Sequence, residues 1–163
     1  MNKTGFGYLR LPQLETESGK VVDFDAVNAL TDEFLTLGGD YFDTAYTYLE
    51  GRSEDALRRC LVERHPRGSF RVATKLPGYK MKTAQECEAA FEMQLRRCGV
   101  DYFDVYLLHW LNDKNYAFAE ERSQFAFLQR LKAEGKAKKI GFSYHDGPEL
   151  LDEILTRHSE VDY

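Results

Sequence analysis

Five polar residues end or follow short apolar stretches of this chain. Asp43 closes "YFD", Lys75 lies near the end of "FRVATKL", His109 near the end of "FDVYLLHW", and Ser143 closes "KKIGFS"; Tyr48 follows Asp43 by five positions. A carboxylate and an ammonium at the ends of apolar segments are costly unless they neutralise each other, so Asp43 and Lys75 are expected to pair. The ammonium would then lie beside the Tyr48 phenol. A phenol ordinarily ionises near pH 10, and a cation about 4 Å away at an effective dielectric of about 20 favours its ionised form by about 4 kcal/mol before desolvation takes some back. Tyr48 then suits general-acid work at neutral pH. A carbonyl oxygen gains charge as hydride reaches its carbon; it would take that proton, with His109 donating a hydrogen bond that orients it. No side chain donates hydride, so this chemistry calls for a nicotinamide cofactor.

Such a constellation needs elements that bring distant residues together. Asp43, Lys75, His109 and Ser143 are spaced by 32, 34 and 34 positions, by subtraction of their numbers. Each terminates a stretch rich in Val, Ile, Phe or Tyr that reads as a strand. Between them lie helix-like segments at 25–39, 53–65, 83–99 and 123–136. Ser53 with Asp55, and Thr83 with Glu86, suit helix starts, while Gly38, Gly99 and Gly135 suit helix stops. An earlier strand is expected at 5–12, a fifth helix at 147–155, and the beginning of a sixth strand in "VDY" at 161–163. A strand-helix period of about 33 residues predicts repeated βα units with a parallel sheet. The fold class is therefore α/β, a partial (β/α)8 TIM barrel of about five units with parallel strands, forming one domain over 1–163. In such a barrel the C-terminal strand ends converge on one mouth, which would make Asp43, Tyr48, Lys75 and His109 neighbours.

Bulk properties narrow the class. Charged residues make up 30% of the 163 positions and hydrophobic ones 43%, and no run approaches the roughly 18 apolar residues of a membrane span. The start of the chain shows no export signal, so a cytoplasmic location without a membrane partner is expected. A net charge of −5 without a basic block argues against nucleic acid. Cys60, Cys87 and Cys98 form no CxxC pair and read as reduced thiols. The basic cluster at 132–139 reads as a solvated helix end.

The motifs "FDTAYTY", "ATKLP", "LLHW" and "IGFSYHD", in that order and spacing, resemble the aldo-keto reductases. The resemblance implies Asp43 and Lys75 as the pair tuning Tyr48, Tyr48 as general acid and base, and His109 as the group orienting a small carbonyl substrate. It also implies NADPH, less often NADH, at the mouth of the barrel without a Rossmann fingerprint. Ser143 would contact the nicotinamide carboxamide, and Tyr8, Arg10 and Asp43 would lie against the cofactor. Many members carry Asn after that serine, where Tyr144 stands here. Family members run to about twice this length, so the sixth to eighth strands and most of the phosphate cradle are expected to lie outside the chain. "GFGYLRLP" with "GFSYHDGPE" looks closer to a bacterial and archaeal branch of the family, some of whose members carry a cysteine-rich iron-sulfur tail.

Other readings compete. A metal-dependent hydrolase could use Asp43, His109 and His145, but the first strand supplies no ligand, and no metal is expected. A half-barrel could instead be a non-catalytic remnant, or could form a homodimer that covers its open edges. His145 and His158 read as loop and helix-surface residues.

Overall fold

The computed structural model describes residues 4–17 and 19–163. In chain order its elements are β1 (Gly5–Gly7), β2 (Gln13–Thr16), β3 (Gly19–Val22), α1 (Phe24–Thr36), β4 (Tyr41–Asp43), α2 (Ser53–Leu57) and β5 (Arg71–Leu76). They continue as α3 (Ala84–Cys98), β6 (Phe103–Leu111), α4 (Asp113–Glu121), α5 (Gln124–Ala133), β7 (Ala137–Tyr144) and α6 (Pro148–Arg157). The main sheet runs β1-β4-β5-β6-β7, every pair parallel and each strand beside its successor in that series, while β2 and β3 form a separate antiparallel ribbon. This is the strand order of a (β/α) barrel, present as an open five-stranded arc.

Both faces of the strands are used. Phe42, Val72, Leu76, Tyr106, Leu108 and Ile140 point outward into the main core beneath the helices, with Phe91 from α3 and Leu128 and Leu131 from α5. Ala73, Val105 and Leu107 point inward and pack with Tyr41. A strand apolar on both faces is what a parallel sheet covered by helices demands, and each fully buried large side chain contributes about 1.5–3 kcal/mol.

Helix ends follow local chemistry. Asp23 caps α1 by accepting from Ala26 N at 3.0 Å, and Thr83 caps α3 by accepting from Glu86 N at 3.1 Å while Glu86 reaches back to Lys82 N. The left-handed turn that ends α3 puts Gly99 at φ 69°, where a Cβ would be strained.

Several elements differ from expectation. The first strand is only three residues long, because the chain turns at Tyr8, whose N–H bonds to Asp43 O at 2.8 Å. The helix expected over 53–65 is α-helical to Leu57 and then widens to a π turn over Arg58–Val62. Ser53 is not its cap: its hydroxyl is buried, donating to Tyr8 O at 2.9 Å and sharing a bond with Thr44 Oγ1 at 2.7 Å. Helix α4 and the β2–β3 ribbon were not foreseen. Residues 161–163 form no sheet strand, yet Asp162 N bonds to Ile140 O at 2.8 Å and Phe142 N to Tyr163 O at 3.2 Å, so they lie along β7. The thiols of Cys60, Cys87 and Cys98 are free and buried. No helix among the described residues is long and apolar enough to cross a membrane.

Candidate active site

Three strand ends bring the expected residues together. Register places Asp43 at the end of β4 beside Ala73, and Lys75 beside Leu107 on β6, two positions before His109. All three side chains follow the inward parity of the strands. Lys75 is 5% exposed, and its ammonium donates to Asp43 Oδ1 at 2.7 Å and to Thr44 O at 2.8 Å. The expected pair thus exists, and the backbone carbonyl takes a second proton of the cation. The same ammonium lies 4.7 Å from the centroid of the Tyr48 ring. Across from it the His109 ring meets Tyr48 edge to face, with centroids 5.7 Å apart.

His109 is neutral at physiological pH. Burial first, then the positive charge of Lys75, then His145 and Lys80, push its pKa from 6.5 down to about 4. Its Nδ1 is buried without a hydrogen-bond partner. A neutral imidazole flanked by cations can donate one N–H to an oxygen that gains negative charge.

The backbone around these residues is unusual. Leu49 and Glu50, directly after Tyr48, have φ of 50° and 59°, and Trp110, directly after His109, has φ of 62°. Left-handed conformations in non-glycine residues persist only where surroundings over-determine them, and they gather at functional sites. At Trp110 the restraint is visible: its N–H donates to Ser143 Oγ at 2.7 Å, tying the end of β6 to β7. Ser143 therefore sits at the mouth with its hydroxyl proton available to a ligand. Among the described residues no three His, Cys, Asp or Glu side chains gather as a metal site would need.

A nicotinamide ring with its carboxamide fits this donor set. Ser143 offers a hydroxyl, the Tyr48 and His109 rings meet edge to face, and nothing lies within 4 Å of the place a Gly7 side chain would occupy at the end of β1. The remaining expected contacts are placed differently. Tyr8 is fully buried, its hydroxyl bonded to Thr31 Oγ1 at 2.8 Å, so its side chain is a core group turned away from the mouth. It follows the alternation of β1, on the same face as Phe6, whose ring lies 5.5 Å from its own. Arg10 is exposed on the turn that follows.

The sequence reading missed a buried polar network behind Lys75. Glu54 is fully buried, and its Oε1 accepts from Thr74 Oγ1 at 2.9 Å and Gln94 Nε2 at 2.7 Å. Gln94 Nε2 also lies 3.1 Å from Lys75 O, and Tyr106 donates to Gln94 Oε1 at 2.7 Å. Arg97 Nη1 approaches Glu54 Oε2 at 3.6 Å, and burial raises the pKa of Glu54. A signal was present: Gln94 occupies the same helical stripe as Cys87, Ala90, Phe91 and Cys98, and a lone amide on an apolar stripe needs partners.

Comparison with known proteins agrees with this fold. The family model described as the aldo/keto reductase family matches residues 4–163. An aldo-keto reductase of Mycolicibacterium smegmatis is 32% identical over 126 residues, which cover 74% of this chain and 42% of that protein. A methylglyoxal reductase of Escherichia coli is 34% identical over 120 residues, covering 72% of this chain and 39% of that protein. Among solved structures, a holo aldo-keto reductase from Bacillus halodurans superposes with a TM-score of 0.70 at 26% identity, over 97% of this chain and 50% of that one. One from Klebsiella pneumoniae in complex with NADPH gives 0.67 at 25% identity, over 94% and 48%. The chain thus spans half or less of the length of these relatives, and with its parallel βα order it belongs to the aldo/keto reductase family.

Proposed function

We propose that residues 1–163 form one barrel-type unit carrying the proton-transfer machinery of an oxidoreductase that reduces aldehydes or ketones to alcohols with NADPH. One observation carries this reading: a buried ammonium, fixed by Asp43 and Thr44 O, lies against the Tyr48 ring opposite a neutral His109. Tyr48 donates its proton to the carbonyl oxygen, and Lys75 stabilises the charge left on the phenol oxygen. Asp43 holds Lys75 in place, and His109 donates a hydrogen bond that orients and polarises the carbonyl. Ser143 holds the carboxamide of the cofactor. When bound, a reduced nicotinamide supplies the hydride.

The residues present serve the reacting end of the cofactor, so the chain by itself is proposed to bind NADPH weakly and to turn over slowly. Such a unit works in the cytoplasm without nucleic acid or membrane. A second copy placed along the exposed edge of β1 would cover its unpaired backbone groups. The methylglyoxal reductase among the relatives makes methylglyoxal a suitable first substrate. Titrating the chain with NADPH by cofactor fluorescence, with mass followed by light scattering, tests the reading. Saturable binding that weakens in Ser143→Val is expected; an absence of saturable binding would overturn the cofactor assignment.

A further inference from the structure

Ser53 and Glu54 take no part in the proton-transfer scheme, yet both are fully buried and each is bonded to a residue that holds the Lys75 ammonium or its strand. Ser53 secures one side. Its hydroxyl donates to Tyr8 O at 2.9 Å and shares a bond with Thr44 Oγ1 at 2.7 Å. Thr44 N in turn donates to Ala73 O at 2.9 Å, and Thr44 O accepts from Lys75 Nζ at 2.8 Å. The carbonyl that fixes the ammonium thus belongs to a residue pinned to β5 by its N–H and to Ser53 by its hydroxyl.

Glu54 secures the other side. Its Oε1 accepts from Thr74 Oγ1 and from Gln94 Nε2, and the same amide nitrogen lies 3.1 Å from Lys75 O. The Tyr106 hydroxyl, donating to Gln94 Oε1, fixes which way that amide faces. The segment that supplies both anchors also carries Tyr48. Three of the residues between Tyr48 and Ser53, namely Leu49, Glu50 and Gly51, have φ of 50°, 59° and 87°. Arg52 closes the turn on itself, donating to Leu49 O from Nε at 3.0 Å and from its backbone N–H at 3.1 Å. A turn so tightly specified passes the placement of Ser53 and Glu54 on to the Tyr48 ring, 4.7 Å from Lys75 Nζ.

Stability alone does not account for this arrangement. Desolvating a carboxylate, an amide and several hydroxyls costs about what their mutual bonds return, and apolar groups of the same volume would pack as well or better. What the polar bonds add is direction. We infer that Ser53 and Glu54 are positioning residues, a rigid pair that sets where the Lys75 ammonium stands relative to the Tyr48 phenol. This rests on the proton-transfer reading and adds to it the part of the fold that keeps its two central groups in register.

The test compares the whole chain with Ser53→Ala, Glu54→Leu and Glu54→Gln, each first shown by circular dichroism and urea unfolding to be folded under assay conditions. If Glu54→Leu does not fold, Gln94→Met, which removes the bond to Lys75 O at similar side-chain length, takes its place. The first readout needs no turnover: the 1H–15N NMR signal of the Lys75 ammonium, assigned by its loss in Lys75→Met. A signal protected from water is expected in the wild type, with exchange at least about fivefold faster in Ser53→Ala and Glu54→Leu, and protection restored in Glu54→Gln, which keeps an acceptor. The second is NADPH oxidation with methylglyoxal, where kcat should fall about tenfold in the same two variants with NADPH affinity unchanged, and Glu54→Gln should recover most of it. Folded variants that keep either the wild-type ammonium signal or the wild-type kcat would overturn the inference. So would equal effects of Glu54→Gln and Glu54→Leu, or a wild-type ammonium in free exchange with water. A wild type that turns nothing over would count against the reductase reading instead, and the ammonium signal would still decide whether the pair positions Lys75.

Discussion

Acidification should destabilise this protein through His109 in a way that one substitution removes. The imidazole's pKa falls from 6.5 to about 4 on folding, so between those values the unfolded chain binds a proton that the folded one refuses. Stability therefore rises with pH across this window and is lost as pH falls from about 6.5 to 4. At about 1.4 kcal/mol per pH unit the full linkage is about 3 kcal/mol, and partial solvent contact of the ring discounts it to about 2 kcal/mol. The perturbation is His109→Gln, which keeps a polar side chain without the titration. Unfolding free energies from urea curves at pH 7, 5.5 and 4 would give a loss larger by about 2 kcal/mol in the wild type than in the variant. NMR titration of the ring should place its midpoint well below 6. Equal acid losses in both proteins, or an imidazole still charged at pH 7, would refute the neutral-donor role, because His109 would then face Lys75 as a second cation.

Three further outcomes are expected. Lys75→Met leaves Asp43 without its partner and Thr44 O without a donor; because Asp43 is partly exposed, the loss should be near the low end for a broken buried pair, about 3 kcal/mol by chemical denaturation at pH 7. Glu54→Leu strands Thr74, Gln94 and Arg97 and should cost about 2–4 kcal/mol, whereas Glu54→Gln, which retains an acceptor, should cost less than half as much. Gly99→Ala imposes a side chain at φ 69° and within 2.9 Å of the Arg58 side chain, so the melting temperature should fall by several degrees, equivalent to about 1 kcal/mol or more.

The fold was legible because its period is carried by strongly marked strands. Asp43, Lys75, His109 and Ser143 recur at the spacing of βα units, and the strands ending near them pair in parallel sequence order. The pairing of Asp43 with Lys75 was also legible, since two opposite charges at adjacent strand ends have few other partners. The rest depended on turns and tertiary context. Nothing local shows that β1 ends at Gly7, because Tyr8 is as strand-prone as its neighbours, and the core partner of its hydroxyl, Thr31, stands 23 positions later. The Ser53 and Glu54 side chains read as the start of a helix, but the packing of α2 onto β4 and β5 turns them into buried anchors for Thr44 and Thr74. The left-handed backbone at Leu49, Glu50 and Trp110 has no sequence signal at all, because none of these residues favours it.

The central claim is that Tyr48 delivers the proton to a carbonyl. The most direct measurement is the initial rate of NADPH oxidation with methylglyoxal by the chain and by Tyr48→Phe, at saturating cofactor and with binding of NADPH confirmed in both. A slow wild-type rate that falls at least about 100-fold in Tyr48→Phe, with cofactor affinity unchanged, is the predicted result. A Tyr48→Phe protein that keeps the wild-type rate, or a wild type that binds NADPH saturably yet reduces nothing, would contradict it.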